Sequence, residues 1–75
     1  MAFGMVLRQV RNERGLSQEK LAFMSGLDRT YISLLERGKR KASIATIFVI
    51  GKSLEFKPSK LIEETEILLN ENKAK

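Results

Sequence analysis

The sequence contains neither cysteine nor histidine. Without cysteine the chain cannot form a disulfide or bind a metal through thiolates. Without histidine it lacks the commonest metal ligand and the commonest general base. No run of carboxylates has the spacing of a calcium-binding loop, and no nucleophile–base pair can be assembled. We therefore expect no metal site, no cofactor and no enzymatic activity.

Long apolar segments are also absent. The longest unbroken apolar stretch is far too short to span a bilayer, and the N-terminus lacks the hydrophobic region of a secretory signal. We expect a cytoplasmic protein with no membrane partner. The 75 residues have room for one domain, which leaves no second domain to bind a small-molecule effector. The content of 43% hydrophobic and 31% charged residues is typical of a globular chain rather than a disordered one.

The charge that is present is mostly positive and unevenly distributed. The net charge is +5, and residues 1–54 hold ten basic and four acidic residues, whereas residues 55–75 hold four basic and five acidic residues. The excess positive charge therefore lies in the first two-thirds of the chain. A small basic domain of this kind favours a polyanionic partner.

The pattern of apolar residues predicts five helices joined by short loops, in one compact all-α domain. The predicted ranges are 3–14, 18–25, 29–37, 44–54 and about 59–70. Ser17, Asp28 and Ser43 are the expected N-caps, and glycines follow the first three helices. We assign residues 1–70 to the domain and expect residues 71–75 to form a frayed tail.

The most informative stretch is 17–37, in which two short helices are joined by the turn 26–28. Ala22 is small enough to allow the two helices to cross steeply, and Gly26 supplies the positive φ that a sharp turn needs. Ile32 and Leu35 then point inward from the second of the two helices. This register predicts a helix-turn-helix, with residues 28–37 as the recognition helix that enters the DNA major groove.

These residues resemble the Xre-type helix-turn-helix family, which includes the lambda Cro and repressor N-terminal domains. The resemblance covers residues 3–62. It rests on R-x-x-R-x-E-R-G-L-S-Q-E-K-L-A at 8–22, G-L-D-R-T-Y-I-S-L-L-E-R-G-K-R at 26–40 and S-I-A-T-I-F-V-I-G-K-S-L at 43–54. The segment L-D-R-T-Y-I-S-x-x-E-R looks most like the controller proteins of restriction–modification systems. The resemblance implies a five-helix, lambda-repressor-like domain.

The resemblance also implies roles for individual side chains on the recognition helix. Arg29 and Thr30 match the positions whose side chains meet base edges, and Ser33 lies one turn further along the same face. An arginine can offer a two-pronged donor to guanine O6 and N7, and a threonine can bond a base or touch a thymine methyl. The alternative for Arg29 is a solvated side chain paired with Asp28 or Glu36. Leu34 has no polar atom and could read thymine only by apolar contact.

Other matched positions are structural or contact the DNA backbone. Arg11 and Glu36 match an ion pair that ties the first helix to the third, and Gln18 matches the position that clamps a phosphate at a helix N-terminus. The basic run that follows the recognition helix is expected to lie along the phosphates, although it could simply be a solubilising loop. Tyr31 could pack at the helix edge or bond a phosphate. The predicted phosphate contacts are Ser17, Gln18, Tyr31, Arg37, Lys39, Arg40 and Lys41.

The fourth and fifth helices carry more apolar residues than are needed to fill the core of a five-helix domain. In the fourth helix we expect Ile44, Ile47, Gly51 and Leu54 to face the core, with Ile50 at the edge of that stripe. The surplus is either scattered surface hydrophobics or a homodimer interface. The interface residues we predict are Phe48, Val49, Ile62, Leu68 and Leu69. A two-fold dimer would place its recognition helices ~34 Å apart on a pseudo-palindromic site.

The sequence therefore predicts a sequence-specific transcriptional regulator that binds double-stranded DNA as a homodimer. A restriction–modification controller and a phage-type repressor are the leading forms, and RNA polymerase is a further candidate partner. Two alternatives stay open at this stage. One is an antitoxin-like module that binds a different protein through the fourth and fifth helices, and the other is non-specific packaging of nucleic acid.

Overall fold

A computed structural model of the protein describes residues 2–74, with side chains through residue 71. These residues form five α-helices and no strand. The helices are α1 (Ala2–Glu13), α2 (Gln18–Ser25), α3 (Arg29–Glu36), α4 (Ile44–Leu54) and α5 (Pro58–Ala74). The all-α prediction is confirmed, and the bounds of α2 and α4 are those predicted. None of these helices combines the length and the apolar character needed to cross a bilayer.

Hydroxyl side chains begin two of the helices, as predicted. The Oγ of Ser17 accepts a hydrogen bond from the backbone N–H of Lys20 at 2.9 Å, and the Oγ of Ser43 accepts one from Thr46 at 3.1 Å. Asp28 also occupies an N-cap position with extended backbone, but its side chain makes no capping hydrogen bond. Asp28 therefore occupies the predicted N-cap position, but the prediction that its side chain caps α3 was wrong.

The bounds of α5 differ from the predicted ones at both ends. Pro58 is its first residue, because a proline in the first turn gives up an N–H that would have no intrahelical partner. At the other end the helix continues to Ala74, beyond the predicted end near Asn70, since no glycine or proline interrupts it. The fraying expected for the tail 71–75 stays a prediction, and Lys75 lies outside the described residues.

All five helices contribute to one apolar core, in which α1 packs against α3 and α5, and α4 packs against α2 and α5. The fully buried side chains are Leu7, Leu21, Ile32, Leu35, Ile50, Leu54 and Leu61. The predicted inward stripe of α4 was wrong at one member, Ile44, and the placement of Ile50 at the edge of the stripe was also wrong. Ile50 is fully buried, whereas Ile44 is 64% exposed. Because α4 is apolar on most of its circumference, its own pattern does not determine which face turns inward, and the contacts with α2 and α5 decide it.

The α1 helix crosses the C-terminal turn of α3 at Gly4. A Cβ atom built on Gly4 would lie 2.6 Å from the carbonyl oxygen of Glu36 and would also collide with the carbonyl oxygen of Leu35. Both neighbours are backbone atoms, which cannot move aside by changing rotamer. The close approach of α1 to α3 therefore requires glycine at this position.

The turn between α4 and α5 is held by Arg14. Its Nε donates to the carbonyl of Leu54 at 2.8 Å, and its Nη2 donates to the carbonyl of Glu55 at 3.2 Å. Its guanidinium also lies 5.7 Å from the centre of the Phe56 ring. Glu55 ends α4 with a left-handed backbone, φ 53° and ψ 43°, although it is not a glycine. Arg14, which directly follows α1, thus anchors the turn that precedes α5.

Candidate nucleic-acid interface

The crossing of α2 and α3 has the geometry that the sequence predicts. Ala22 is 4% exposed at the crossing, and Gly26 has a left-handed backbone with φ 70°. The backbone N–H of Leu27 donates to the carbonyl of Ala22 at 3.0 Å, which closes the end of α2. Ile32 and Leu35 are buried on the inner side of α3. The described turn is therefore a helix-turn-helix with α3 as its second helix.

A buried ion pair fixes the far end of α3 to α1. The Nε of Arg11 donates to Oε2 of Glu36 at 2.6 Å, and its Nη2 donates to Oε1 at 3.0 Å. The remaining Nη1 donates to the carbonyl of Leu16 at 2.6 Å, in the loop before α2. Both charged side chains are buried, and the pair brings together α1, the following loop and α3.

Gln18, the first residue of α2, joins the same network. Its Nε2 donates to Oε1 of Glu36 at 3.0 Å, and the side chain is half-buried. An amide nitrogen carries two hydrogens, so one remains for an acceptor outside the protein. The first turn of α2 also leaves backbone N–H groups without intrahelical partners, which is the geometry that binds phosphate oxygens. The start of α2 is thus fixed relative to α3 by the carboxylate that also binds Arg11.

The first turn of α3 presents its polar side chains to solvent. Arg29 and Thr30 are exposed, and Ser33 and Leu34, on the next turn, are half-buried. Among the described side chains no carboxylate lies within ion-pair distance of Arg29, so neither of the pairings considered for it, with Asp28 or with Glu36, is present. The guanidinium of Arg29 therefore stands free at the start of an otherwise anchored helix.

The basic run lies directly behind α3, where Gly38 turns the chain with φ 73°. Arg37, Lys39, Arg40 and Lys41 are all exposed, as is Ser17 at the start of α2. Tyr31 is half-buried and packs against the core, with its hydroxyl 3.5 Å from the carbonyl oxygen of Lys41. Its ring thus supports the loop that carries the cations, and its contact with a phosphate stays a prediction.

The predicted dimer residues do not form a single exposed set. Phe48, Val49, Ile62 and Leu69 are exposed, whereas Leu68 is partly buried and packs against the core of its own chain. Their role in a dimer stays a prediction.

Sequence reasoning missed an exposed aromatic residue on α2. Phe23 is 80% exposed, and the Nζ of Lys20 lies 5.6 Å from the centre of its ring. Helical spacing from the buried residues Leu21 and Ala22 would have placed Phe23 on the outer face. The structure also removes Glu36 from any surface patch that a protein partner might touch, since it is buried under Arg11.

Comparison with known proteins agrees with this geometry. Residues 7–61 match the helix-turn-helix family. The chain is 46% identical to the control protein C.BamHI of Bacillus amyloliquefaciens over 68 residues, which cover 89% of this chain and 84% of that protein. It is 31% identical to the immunity repressor of Bacillus phage phi105 over 74 residues, but spans only 51% of that longer protein.

A solved structure supports the same relationship. The restriction–modification controller protein C.AhdI from Aeromonas hydrophila superposes with a TM-score of 0.78 and 47% sequence identity, covering 80% of this chain and 91% of that one. The family match extends from α1 to the start of α5, and so includes the crossing of α2 and α3 described above. The chain therefore belongs to the Xre-type helix-turn-helix family of DNA-binding transcriptional regulators.

Proposed function

We propose that this protein binds a pseudo-palindromic operator as a homodimer and controls the expression of a restriction–modification system. In each protomer α3 enters the major groove, and Arg29, Thr30 and Ser33 contact base edges. The observation that carries the proposal is the free guanidinium of Arg29 at the exposed start of a helix whose other end is fixed by a buried ion pair. A rigid helix with a free two-pronged donor at its tip is suited to reading guanine.

The backbone contacts are proposed for residues on either side of α3. The start of α2 offers Ser17, Gln18 and free N–H groups to one phosphate, and the basic run offers four exposed cations to others. Such contacts supply affinity and orientation without sequence information, whereas the base contacts supply specificity.

The choice of a controller role rests on the relatives. C.BamHI is named as a control protein and C.AhdI as a restriction–modification controller, and this chain covers most of both. RNA polymerase is a candidate partner of the DNA-bound dimer, and the buried Glu36 does not take part in that contact. Control through protein concentration and operator occupancy would need no small-molecule effector.

The experiment that tests this proposal is selection of bound duplexes from a random pool at physiological salt. We expect an enriched pseudo-palindrome whose half-sites are centred about 10 base pairs apart, or a multiple of that spacing, as a two-fold dimer requires. The matched control is Arg29→Ala, which should lose enrichment at one position in each half-site. Recovery of no enriched motif would overturn the proposal and favour non-specific packaging.

A phage-type repressor is the second candidate, favoured by the 31% identity to the phi105 immunity repressor along nearly all of this chain. Both candidates predict a palindromic operator. The two are separated by in vitro transcription from a promoter that carries the selected site. A controller that activates would raise the amount of transcript, whereas a protein that only represses would lower it. The antitoxin-like alternative instead predicts a stable complex with a different protein and no enriched operator.

A further inference from the structure

Leu34 is a half-buried leucine on α3 whose side chain does not belong to the core. Leu16, Leu27 and Leu68 are the other half-buried leucines of the described residues, and all three pack against the core, whereas Leu34 does not. Its backbone carbonyl accepts a hydrogen bond from the N–H of Lys39 at 2.8 Å, which closes the end of α3. Leu34 is therefore held in place by its backbone, and its apolar side chain is left without a packing role.

The position of Leu34 on the helix places this side chain on the outward face. Residues three and four apart lie on one face of a helix, so Leu34 shares a face with Thr30 and Arg37, which are both exposed. The buried residues Ile32 and Glu36 lie on the opposite side of α3. Along the outward face the leucine thus follows a hydroxyl group and precedes a guanidinium group.

An apolar side chain on this face has few favourable contacts in the major groove. The base edges there carry hydrogen-bond donors and acceptors, and the apolar group among them is the methyl group on C5 of thymine. A polar base edge covered by leucine would lose water without gaining a hydrogen bond, which costs free energy. The methyl group of 5-methylcytosine occupies the same ring position as that of thymine, so leucine can contact either one.

We infer that Leu34 reads the C5-methyl group of a pyrimidine at one position in each half-site. The inference rests on the proposed entry of α3 into the major groove, and it adds the chemistry of one base position. The feature recognised is the methyl group itself, whose two sources are thymine and 5-methylcytosine. Where a cytosine occupies this position, the affinity of the protein for its operator then depends on methylation of that cytosine.

The first test replaces single thymines of the selected palindrome with uracil, which removes one methyl group and leaves the hydrogen-bonding groups unchanged. At one position in each half-site the dissociation constant of the wild type should rise about fourfold per half-site, the equivalent of one buried methyl group. For Leu34→Ala the same replacement should change it less than about 1.5-fold, because the side chain that contacts the methyl group is gone.

The second test distinguishes the two sources of the methyl group. A C·G pair replaces the T·A pair at this position, with or without a methyl group on C5 of the cytosine. The wild type should bind the methylated duplex more tightly by about fourfold per half-site, and Leu34→Ala should not distinguish the two duplexes. Selection from a pool with ordinary cytosine should return thymine at this position, whereas a pool with 5-methylcytosine should return both bases.

Three variants serve as controls. Leu34→Met keeps an apolar side chain of similar volume and should retain the preference for the methyl group. Met5→Ala removes an exposed apolar side chain from α1 and should leave the preference unchanged. Thr30→Ser removes the other methyl group on the outward face of α3, and the uracil effect assigned to Leu34 should persist in it. Denaturant unfolding checks that Leu34→Ala remains folded.

The outcomes separate this inference from the proposed function. Recovery of no palindrome overturns the proposed function before any base is replaced. A selected palindrome that binds equally well with uracil at every thymine overturns the role of Leu34 and leaves the operator proposal intact. Loss of the uracil effect in Thr30→Ser would assign the contact to the threonine, and an effect with thymine but none with 5-methylcytosine would show that the base and not its methyl group is read. Either result also overturns the inference.

Discussion

The guanidinium of Arg11 donates two hydrogen bonds, of 2.6 and 3.0 Å, to the carboxylate of Glu36 in the interior of the domain. Within the described residues this is the one ion pair away from solvent, since Lys60 and its glutamates are exposed. A buried pair of this kind need not add stability compared with apolar residues, but removal of one partner leaves a charge without compensation. Its main effect is to fix α3 relative to α1.

The first prediction concerns this pair. Arg11→Met should lower the free energy of unfolding by about 3–5 kcal/mol, because Glu36 would then be buried with only Gln18 as a donor. The double change Arg11→Met/Glu36→Leu should recover a large part of that loss. Denaturant unfolding measures both. The control is Lys60→Met, which breaks an exposed pair and should cost less than about 0.5 kcal/mol. Equal costs for Arg11→Met and Lys60→Met would contradict the assigned role of the buried pair.

The second prediction concerns Gly4, where two physical effects have opposite signs. In an unobstructed helix, replacing glycine with alanine stabilises by about 0.5–1 kcal/mol. Here the new Cβ would collide with the carbonyl oxygens of Leu35 and Glu36, so Gly4→Ala should instead destabilise by about 1–3 kcal/mol. Asn12→Ala, at an exposed position on the same helix, is the control and should stabilise slightly. A rise in melting temperature for Gly4→Ala would show that α1 does not approach α3 this closely.

The third prediction concerns the left-handed residue that ends α4. Glu55 has φ 53°, a region that disfavours any residue with a Cβ atom. Glu55→Gly should therefore stabilise the domain by about 0.5–1 kcal/mol, since the carbonyl that Arg14 binds is retained. Glu55→Ala removes the same charge but keeps the Cβ atom, and it should bring no such gain. If alanine stabilised as much as glycine, the effect would come from charge and not from backbone geometry.

The sequence allows accurate prediction wherever a local signal determines the structure. Ser17 and Ser43 fix the starts of α2 and α4, and the small residues Ala22 and Gly26 fix the crossing of α2 and α3. The exposed positions of Arg29 and Thr30 follow from the same register, because Ile32 and Leu35 must face inward.

Features that depend on packing between helices could not be predicted in this way. Ile50 and not Ile44 enters the core because α2 and α5 select the inner face of an almost wholly apolar helix. Gly4 lies within a helix and marks no turn. Glycine is required there because the backbone carbonyls of another helix lie too close for a Cβ atom.

The last prediction distinguishes base readout from backbone contact by comparing two basic residues a few positions apart. Arg29→Ala should cost about 1–3 kcal/mol at one base position of the selected operator and relax specificity there. Lys39→Ala should weaken binding to all sequences alike and reduce the slope of log K against log salt by about 0.9 per protomer, because one phosphate contact is lost. Titration of operator and scrambled duplexes at several salt concentrations measures both effects. Both residues are exposed and neither has an ion pair among the described side chains, so loss of folding does not confound the comparison. A uniform, salt-dependent loss for Arg29→Ala would place that side chain on the backbone, and the reading of bases would then have to come from Thr30 and Ser33.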